Sequence, residues 1–442
     1  MRLQEPVQSA RAVITLLVSS GVELGAGPGG GRTARSAPAT APRNGPVTNA
    51  QLGIRASDHH ALVRSTPKCD PLPVAAHTAP QYQRRVRILY GVVGEGMGHA
   101  IRSRVVLEHL FAQGHEVEIM ASSRAADFLA KRFPEVHRIH GLHIIYDENR
   151  VRRGRTLWSN VLDGGAAIPQ QIGAYFRLVE DFAPQVVISD FESWVYFYAK
   201  LHRLPIVSID NMQVINRCRH GADVLRGIRP EFELTRAFVR GKLPGCDHYL
   251  ITTFFYPPVR RKRTQLAPPL LRPEILGAQC TRGEHLLVYQ TAEGHEQLPE
   301  ALAGAGMPCR IYGMRRELTA DVVEGELCYR PFDERRFVED LSSARAVIAG
   351  GGFTLMGECV YLRKPLLALP VGGQIEQVLN ARYLERVGYG RGAEHVDAPL
   401  LREFLQQLPG FEAHLAGYRQ EGNRVALDAL DQLLDRAVAG VL

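Results

Sequence analysis

The sequence lacks several features that mark common protein classes. Its 442 residues contain no apolar run of about 18 or more residues, so we expect no transmembrane helix. The seven cysteines are scattered, and no two of them form a Cys-x-x-Cys pair. This pattern is typical of reduced thiols in a cytosolic protein and argues against a disulfide framework or a zinc site.

The charge pattern also excludes some partners. The net charge of +7 is modest and comes mainly from arginine, and basic residues do not alternate with aromatic ones as they do in many nucleic-acid-binding proteins. We therefore expect no nucleic-acid partner. Arginine suits phosphate-bearing ligands and anionic lipid surfaces, although it is also a compositional habit of some genomes.

Residues 1–83 differ from the rest of the chain. They are rich in Gly, Pro, Ala and Ser and show no helical or strand period, which predicts a disordered extension. The apolar stretch Ala12–Val22 lacks a compact basic region before it and is interrupted by Ser19, Ser20 and Gly21. It is therefore a poor signal peptide.

From Arg84 onwards, apolar strands alternate with amphipathic helices. In the first series we predict strands at Val86–Tyr90, Glu116–Met120, Val136–His140, Pro184–Asp190 and Ile206–Ile209. In the second series we predict strands at Leu286–Gln290, Cys309–Tyr312, Leu327–Tyr329, Ala346–Ala349 and Pro365–Pro370, and a helical tail at Phe411–Leu434. This alternation is typical of α/β domains with doubly wound parallel sheets.

A proline-rich and basic segment separates the two series. It contains Tyr256-Pro257-Pro258, the basic run Arg260–Arg263 and Ala267-Pro268-Pro269, and we interpret it as a linker. The predicted organisation is two Rossmann-like domains facing a cleft, residues 84–265 and residues 266–442. Such a cleft favours a two-part ligand with one part held by each half.

The first candidate motif, Gly94-x-Gly96-x-Gly98-His99, follows the first strand. It is a weak match to a dinucleotide fingerprint because His99 takes the place of the third glycine and no acidic residue ends the second strand. The loop instead places His99 at a helix start, where it can accept a proton from a hydroxyl nucleophile. A turn histidine without a catalytic role is an equal alternative.

Asp190 ends another predicted strand of the same sheet. A carboxylate there can orient and polarise His99. Two alternatives remain open: Asp190 can cap the next helix instead, and Glu192 is close enough in sequence to replace it.

The richest stretch runs from Ile348 to Gly390. A strand leads into Gly350-Gly351-Gly352, then Phe353 and Thr354 begin a helix, so free backbone N–H groups can bind a phosphate. After a second strand, Gln374 to Ala381 provide amides and carboxylates that can pair with sugar hydroxyls. Together these features predict a nucleotide-sugar site.

Two further candidates lie at strand ends of the second half. Thr291 can donate to a phosphate, with a turn-forming role equally plausible. Phe332 can line a base pocket, although an aromatic residue at such a position is more often part of the core.

These residues carry a family resemblance. From about Arg84 the chain resembles the inverting GT-B glycosyltransferases, which include the UDP-glycosyltransferases and the bacterial enzyme that adds N-acetylglucosamine to lipid I. The glycine-loop histidine is the weaker part of the match. The stronger part comprises Gly351-Gly352-Phe353-Thr354, Glu358 and the run Glu376-Gln377-x-x-Asn380-Ala381. Gly350 departs from the family pattern, which often has a histidine there, and marks a divergent subgroup.

The resemblance implies roles for individual residues. His99 is the expected base and Asp190 its partner, while Glu358 binds the ribose and Glu376 and Gln377 hold the donor sugar. The implied donor-binding set comprises Thr291, Phe332, Gly351, Gly352, Phe353, Thr354, Glu358, Gln374, Glu376, Gln377 and Asn380.

The expected reaction transfers a sugar from a nucleotide donor, a UDP-sugar in this interpretation, to an unidentified hydroxyl acceptor with inversion. A lipid or a cell-envelope glycan is one candidate acceptor. We expect no cofactor and no metal, since no Asp-x-Asp motif occurs. The alternatives are a nucleotide-sugar epimerase or hydrolase and a non-catalytic nucleotide-sugar-binding protein. We expect a cytoplasmic location, with residues 151–155 and Arg260–Arg263 as candidates for peripheral membrane contact at its inner face.

Overall fold

The structure is a computed structural model that describes residues 85–94, 96–139, 146–147, 150–151, 179–291 and 297–442. The predicted extension, residues 1–83, lies outside the described residues. The described strands form two seven-stranded sheets and one two-stranded ribbon. This architecture confirms the predicted fold class of two doubly wound α/β halves.

The first half forms an all-parallel sheet. Its strands are β1 (Arg87–Val92), β2 (Glu116–Ser122), β3 (Val136–Ile139), β6 (Val186–Asp190), β7 (Ile206–Asp210), β8 (His248–Thr252) and β9 (Thr264–Ala267), and the ribbon is β4 (Tyr146–Asp147) with β5 (Arg150–Val151). Its helices are α1 (Met97–Ala112), α2 (Ser123–Leu129), α3 (Ser193–His202), α4 (Gln213–Arg217) and α5 (Arg229–Lys242). The strand order is β3-β2-β1-β6-β7-β8-β9.

The second half repeats this design. Its strands are β10 (Leu286–Tyr289), β11 (Cys309–Tyr312), β12 (Val322–Glu324), β13 (Leu327–Arg330), β14 (Ala346–Ala349), β15 (Leu366–Ala368) and β16 (Gly390–Gly392). Its helices are α6 (Pro273–Leu276), α7 (Leu298–Ala303), α8 (Glu334–Ser343), α9 (Phe353–Tyr361), α10 (Ile375–Arg386), α11 (Ala398–Leu415) and α12 (Arg424–Val438). The order is β12-β13-β11-β10-β14-β15-β16, and the edge strand β12 runs antiparallel to β13.

The central strands are mostly apolar because helices cover both faces of each sheet. Every residue of β6, β7 and β14 is buried. In each sheet the winding direction changes once near the middle, between β1 and β6 and between β10 and β14. Ligands of such sheets bind beyond the carboxyl ends of the strands at this switch point. The loops after these four strands are therefore the places where a ligand site is expected.

Two predicted segments differ from the structure. The proposed linker contains β9, which pairs with β8 at the edge of the first sheet. The helical tail predicted at Phe411–Leu434 is interrupted, since α11 ends at Leu415 and α12 begins at Arg424. Gly422 lies in this break with a φ of 57°, a left-handed conformation that glycine adopts readily.

The last helix, α12, returns to the first half. Leu430, Leu433 and Leu434 are buried in the same core cluster as residues of β1, α1 and β6. Asp431 of α12 pairs with Nε2 of His109 in α1 at 2.8 Å. The domain boundary predicted at residue 266 stays a prediction. By sequence α12 belongs to the predicted second domain, but it packs on the first half.

Within the described part of the chain, none of the helices combines the length and apolar character needed to cross a bilayer. Two segments, residues 151–155 and Arg260–Arg263, are the predicted candidates for membrane contact. Residues 152–155 of the first segment lie outside the described residues.

Candidate active site

The first cluster of polar residues joins the start of α1 to the end of β6. Nδ1 of His99 lies 2.7 Å from Oδ1 of Asp190. Asp190 is fully buried, whereas His99 keeps 16% of its side chain exposed. All the close polar contacts of the His99 ring among the described residues involve Nδ1, so Nε2 is available for a ligand. The contact that the sequence interpretation requires is present, and its catalytic role stays a prediction.

Two more residues of α1 converge on the same carboxylate. Arg102 donates from Nε to Oδ2 of Asp190 at 3.1 Å and from Nη2 to Oδ1 at 2.5 Å. The Ser103 hydroxyl donates to Oδ2 at 2.9 Å. Burial raises the pKa of the Asp190 carboxyl, but the charges of Arg102 and His99 outweigh this effect and hold the pKa below its usual value. Asp190 is therefore an ionised acceptor.

The structure separates the alternatives for Asp190 and Glu192. The Glu192 carboxylate accepts a hydrogen bond from the backbone N–H of Val195 at 2.9 Å and thereby caps α3. Glu192 supplies the cap, so the interpretation of Asp190 as a helix cap is wrong. Phe191 lies between them with a φ of 56°, and its ring stacks on His99 at a centroid distance of 6.4 Å. A non-glycine residue in this region is strained, which is common at functional sites.

The glycines of the first motif permit close approaches. A Cβ at Gly94 would lie 2.3 Å from the carbonyl oxygen of Ser122, and the N–H of Gly94 donates to the Ser122 hydroxyl at 2.7 Å. Gly96 precedes α1 with a φ of 86°. A Cβ at Gly98 would lie 2.7 Å from Oγ1 of Thr354. The loop therefore packs against the second half directly beside His99.

The loop that follows β14, residues 350–354, is the predicted donor loop, and it meets this glycine loop. The Thr354 hydroxyl donates to the carbonyl oxygen of Gly98 at 3.2 Å. Helix α9 begins at Phe353, and its N-cap residue Gly352 provides no side-chain hydrogen bond to the first backbone N–H groups of the helix. Phe353 itself is buried and stacks on Phe254 at 5.9 Å. Such a helix start attracts anions in general, and the phosphate site predicted here from the sequence stays a prediction.

Helix α10 lies directly behind the predicted donor loop. A Cβ at Gly351 would lie 2.7 Å from Cβ of Gln377, which explains why glycine is needed there. The buried amide of Asn380 donates to the carbonyl oxygen of Gly351 at 3.2 Å. Gly352 meets no such neighbour. Asn380 thus supports the loop from behind, and its direct contact with a donor stays a prediction.

The first turn of α10 presents the remaining polar residues. The Gln377 amide donates to Oε1 of Gln374 at 2.5 Å and accepts from the N–H of Val371 at 3.0 Å. Part of the Glu376 side chain is exposed. Surrounding protein atoms nevertheless remove water from its carboxyl group, and this desolvation raises the pKa. The charges of His99 and Arg102 oppose this rise. Glu376 of the second half therefore lies within electrostatic range of His99 in the first.

Glu358, the predicted ribose ligand, is buried in an ion pair. Its two oxygens accept from Nε and Nη2 of Arg272 at 2.8 and 3.0 Å, and Nη1 of Arg272 donates to Glu334 at 3.0 Å. Burial raises the pKa of Glu358, and Arg272 counteracts this rise. The carboxylate is 2% exposed, so a ribose that binds it has to approach a carboxylate already held by Arg272.

The two strand-end candidates of the second half are both exposed. Thr291 follows β10, and its carbonyl oxygen accepts from Arg316. Phe332 follows β13 and is 61% exposed, with its ring beside Tyr289 at 6.2 Å and Phe337 at 5.6 Å. The interpretation of Phe332 as a core residue is therefore wrong.

Sequence reasoning missed Arg102, Ser103 and Arg272. The first two stand three and four residues after His99, a spacing that places all three side chains on one face of α1. That spacing was an available signal. Arg272 carried no such signal because its partner, Glu358, is 86 residues away.

Comparisons with known proteins identify a family and a shared fold. Residues 86–409 match the sequence profile of a family described as glycosyl transferase family 1. An uncharacterized glycosyltransferase of Methanosarcina mazei is 25% identical over 354 residues, covering 73% of this chain and 90% of that protein. One from Methanosarcina acetivorans is 24% identical over 358 residues, covering 74% of this chain and 91% of that protein.

Solved structures share the GT-B fold. The glycotransferase of kitacinnamycin superposes with a TM-score of 0.58 at 18% identity, covering 80% of this chain and 99% of that one. LpCGTa in complex with UDP gives 0.53 at 14% identity, with 80% and 99% coverage. The spinosyn rhamnosyltransferase SpnG complexed with thymidine diphosphate gives 0.52 at 19% identity, with 79% and 100% coverage.

Proposed function

The chain belongs to glycosyl transferase family 1 and is a glycosyltransferase, and we propose that it moves a sugar from a nucleoside-diphosphate donor to an acceptor hydroxyl with inversion. The main support for this proposal is the set of contacts around His99. Its Nδ1 is held by Asp190 at 2.7 Å, its Nε2 is available, and the adjacent Gly98 contacts the donor loop. A base held in this way can act only through Nε2.

In this mechanism Nε2 of His99 takes the proton of the acceptor hydroxyl. The resulting oxygen attacks the anomeric carbon from the side opposite the diphosphate, the bond from that carbon to the diphosphate oxygen breaks, and the configuration inverts. Asp190 keeps the proton of the neutral imidazole on Nδ1 and stabilises the imidazolium that forms.

The donor half would bind the diphosphate and the sugar. The uncapped N-terminus of α9, including the N–H groups near Phe353 and Thr354, can stabilise the negative charge that develops on the leaving group. Gln374, Glu376 and Gln377 stand at the start of the adjacent helix α10, where their side chains can pair with sugar hydroxyls.

Two observations support a nucleotide donor. LpCGTa and SpnG, which share the fold, were solved with UDP and with thymidine diphosphate. The exposed ring of Phe332 beside Tyr289 offers a surface on which a base can stack. We propose a UDP-sugar as the donor, residues 266–442 as the donor half and residues 84–265 as the acceptor half.

For the acceptor we propose an apolar or lipid-linked alcohol. Leu234 and Phe238 of α5 are 50% and 43% exposed, and Phe238 packs edge-on against Phe191, the residue that stacks on His99. Burial is the first cause that lowers the pKa of Arg260, and the positive charges of Arg236 and Arg261 lower it further. An apolar face beside a cluster of cations suits an anionic lipid surface.

The proposed function is tested by measuring nucleotide release. The protein is incubated with a panel of UDP- and TDP-sugars, with and without a lipid extract or a panel of simple alcohols. We expect release of UDP that depends on the acceptor, and a product whose anomeric configuration by NMR is opposite to that of the donor. Release without any acceptor would instead show a donor hydrolase, and retained configuration would exclude this mechanism.

Membrane contact is tested separately by flotation with liposomes. We expect binding to vesicles that contain phosphatidylglycerol and weaker binding at high salt. Replacing Leu234 and Phe238 together with serine should weaken the binding further. Equal binding to neutral and anionic vesicles would contradict the role of the arginines.

A further inference from the structure

Arg102 occupies an unusual place beside the proposed base. Its Nη2 lies 2.8 Å from Nδ1 of His99 and 2.5 Å from Oδ1 of Asp190, while its Nε donates to Oδ2 of the same carboxylate. The guanidinium is buried, with 5% of its side chain exposed. A permanent positive charge is therefore fixed in contact with both members of the pair.

The positions of the protons follow from these contacts. An ionised Asp190 can only accept hydrogen bonds, so Nδ1 of His99 must carry the proton that joins them. Arg102 cannot donate to a nitrogen that already carries a proton. Its Nη2 therefore donates to Asp190 and stands beside the imidazole as a cation without a hydrogen bond to it.

Several other charged groups face His99 and Arg102. Asp190 lies on β6, Asp210 at the end of β7 interacts with Arg102, and Glu376 of α10 interacts with both His99 and Arg102. Lys242 of α5 stands 4.5 Å over the ring of Phe191, which stacks on His99. Arg102 is the cation closest to the imidazole among the described residues.

We propose that Arg102 is a positioning residue that fixes the Asp190 carboxylate against Nδ1 of His99 and also weakens His99 as a base. The imidazole then stays unprotonated, and able to accept a proton, at a lower pH than a simple aspartate–histidine pair allows. This inference rests on the proposed role of His99 as the base.

Arg102 weakens His99 as a base because the guanidinium and a protonated imidazole compete for the same Asp190 carboxylate. In an aspartate–histidine pair the carboxylate favours the charged imidazolium, which raises the affinity of the ring for a proton. Here the guanidinium neutralises much of that carboxylate and repels an imidazolium that would form 2.8 Å away. Protonation of His99 is thereby disfavoured, while the hydrogen bond that orients the ring is kept.

The two functions of Arg102 can be separated by substitution. Arg102→Gln removes the charge but keeps a donor for Asp190, and we expect the proton affinity of His99 to rise about tenfold, which is about one pKa unit. The measurement is an NMR titration of the full chain labelled with ¹³C-histidine, with the His99 signal identified by its loss in His99→Gln. An unchanged or lower proton affinity overturns the proposal.

A matched control lies on the same helix. Arg104 pairs with Glu108 at 2.7 Å and with Glu274 at 2.8 Å, and it has no contact with the His99 cluster. Arg104→Gln should leave the His99 titration unchanged. If it moves the titration as far as Arg102→Gln does, a general loosening of α1 is the cause and the proposal is wrong.

A second variant guards against misfolding of Arg102→Gln. The double variant Arg102→Gln with Asp190→Asn removes both buried charges together, so neither remains unpaired. We expect its His99 proton affinity to stay within about threefold of the wild type, because the two effects oppose each other. A fall of about tenfold or more would show that Asp190 alone sets the base strength, which overturns the proposal.

The titration requires no acceptor and no turnover. It can therefore fail while acceptor-dependent nucleotide release succeeds, and it can succeed if the protein turns out to have a different reaction. Once an acceptor is known, the acidic limb of the kcat/KM profile should move to higher pH in Arg102→Gln. A uniform loss of rate at every pH would show a purely structural role.

Discussion

The hydroxyl of Thr354 donates a hydrogen bond to the carbonyl oxygen of Gly98, 3.2 Å away in the other half of the chain. This contact joins the first turn of the helix that carries His99 to the first turn of the helix proposed to bind the diphosphate. The distance between the proposed base and the proposed donor site therefore depends on how closely these two helix starts approach each other.

Gly98→Ala should disturb this approach. The added Cβ would lie 2.7 Å from Oγ1 of Thr354, so either the Thr354 side chain must rotate and lose its bond to Gly98 or the two helix starts must separate. We expect kcat/KM for transfer to fall by about tenfold to a hundredfold, because small misplacements of reacting groups are costly. Adding Thr354→Ala removes the clashing oxygen and should recover much of the loss in a double-mutant cycle. Additive losses would contradict a direct clash.

His99→Ala should abolish transfer and leave nucleotide binding intact. The imidazole is proposed to take the acceptor proton, whereas the proposed donor contacts lie in the second half. Turnover and calorimetric binding of UDP measure the two effects separately. Unchanged turnover would remove His99 from the mechanism.

Breaking the buried pair of Arg272 and Glu358 should cost stability. Arg272→Met leaves a buried carboxylate without its partner, and we expect a loss of about 3–5 kcal/mol in the free energy of unfolding, measured with urea. Adding Glu358→Gln should return part of this loss because no buried charge then remains unpaired.

The same residue tests the ribose assignment. If Glu358 binds the ribose, Glu358→Gln should weaken UDP more than 2′-deoxy-UDP, since the ribonucleotide has one more hydroxyl for the carboxylate to bind. Calorimetry with both nucleotides gives the ratio. A parallel loss for both would show that Glu358 acts only as the partner of Arg272.

Phe332→Ala should weaken nucleotide binding without destabilising the fold. The ring is 61% exposed, so little apolar burial is lost, while stacking of a base contributes about 1–3 kcal/mol. Val323→Ala, at 68% exposure in the same half, is the control and should change neither property. A large fall in the melting temperature of Phe332→Ala would assign the ring a structural role.

Stability should fall as the solution becomes acidic. Burial lowers the pKa of His220 and of His248 from 6.5 to about 4, so between these values the unfolded chain binds protons that the folded chain does not. Stability therefore rises with pH across this window, by up to about 1.4 kcal/mol per pH unit for each histidine. His220→Gln should reduce the slope, and His248→Gln should do so by a similar amount. An unchanged slope in either variant would contradict this assignment.

The fold could be predicted from the sequence because it rests on local patterns. Alternating apolar strands and amphipathic helices identify both sheets, and glycine turns identify the loops at their switch points. Strands at the sheet edges were harder to predict from the sequence. Strand β9 follows the basic run that ends at Arg263 and has only four residues. Its place in the sheet is set by pairing with β8, which is a tertiary interaction.

Site residues could be predicted where the neighbouring sequence marks a single position as unusual. His99 follows a glycine loop and Asp190 ends a strand, so both could be named before their contact was seen. The choice between Asp190 and Glu192 could not be made, because both are acidic and two residues apart. Only the left-handed turn at Phe191 directs one carboxylate to His99 and the other to α3. Arg272 and Glu358 meet through the fold alone.

The return of α12 to the first half makes the chain pass twice between the two halves, and the two passages run side by side. Asn423 bonds to both the N–H and the carbonyl oxygen of Leu271, at 2.8 and 2.7 Å, and Gln420 donates to the carbonyl oxygen of Pro269 at 2.7 Å. Two adjacent connections that are hydrogen-bonded to each other restrict the relative movement of the halves more than a single linker would, so they help to keep His99 and the start of α9 in the same relative position.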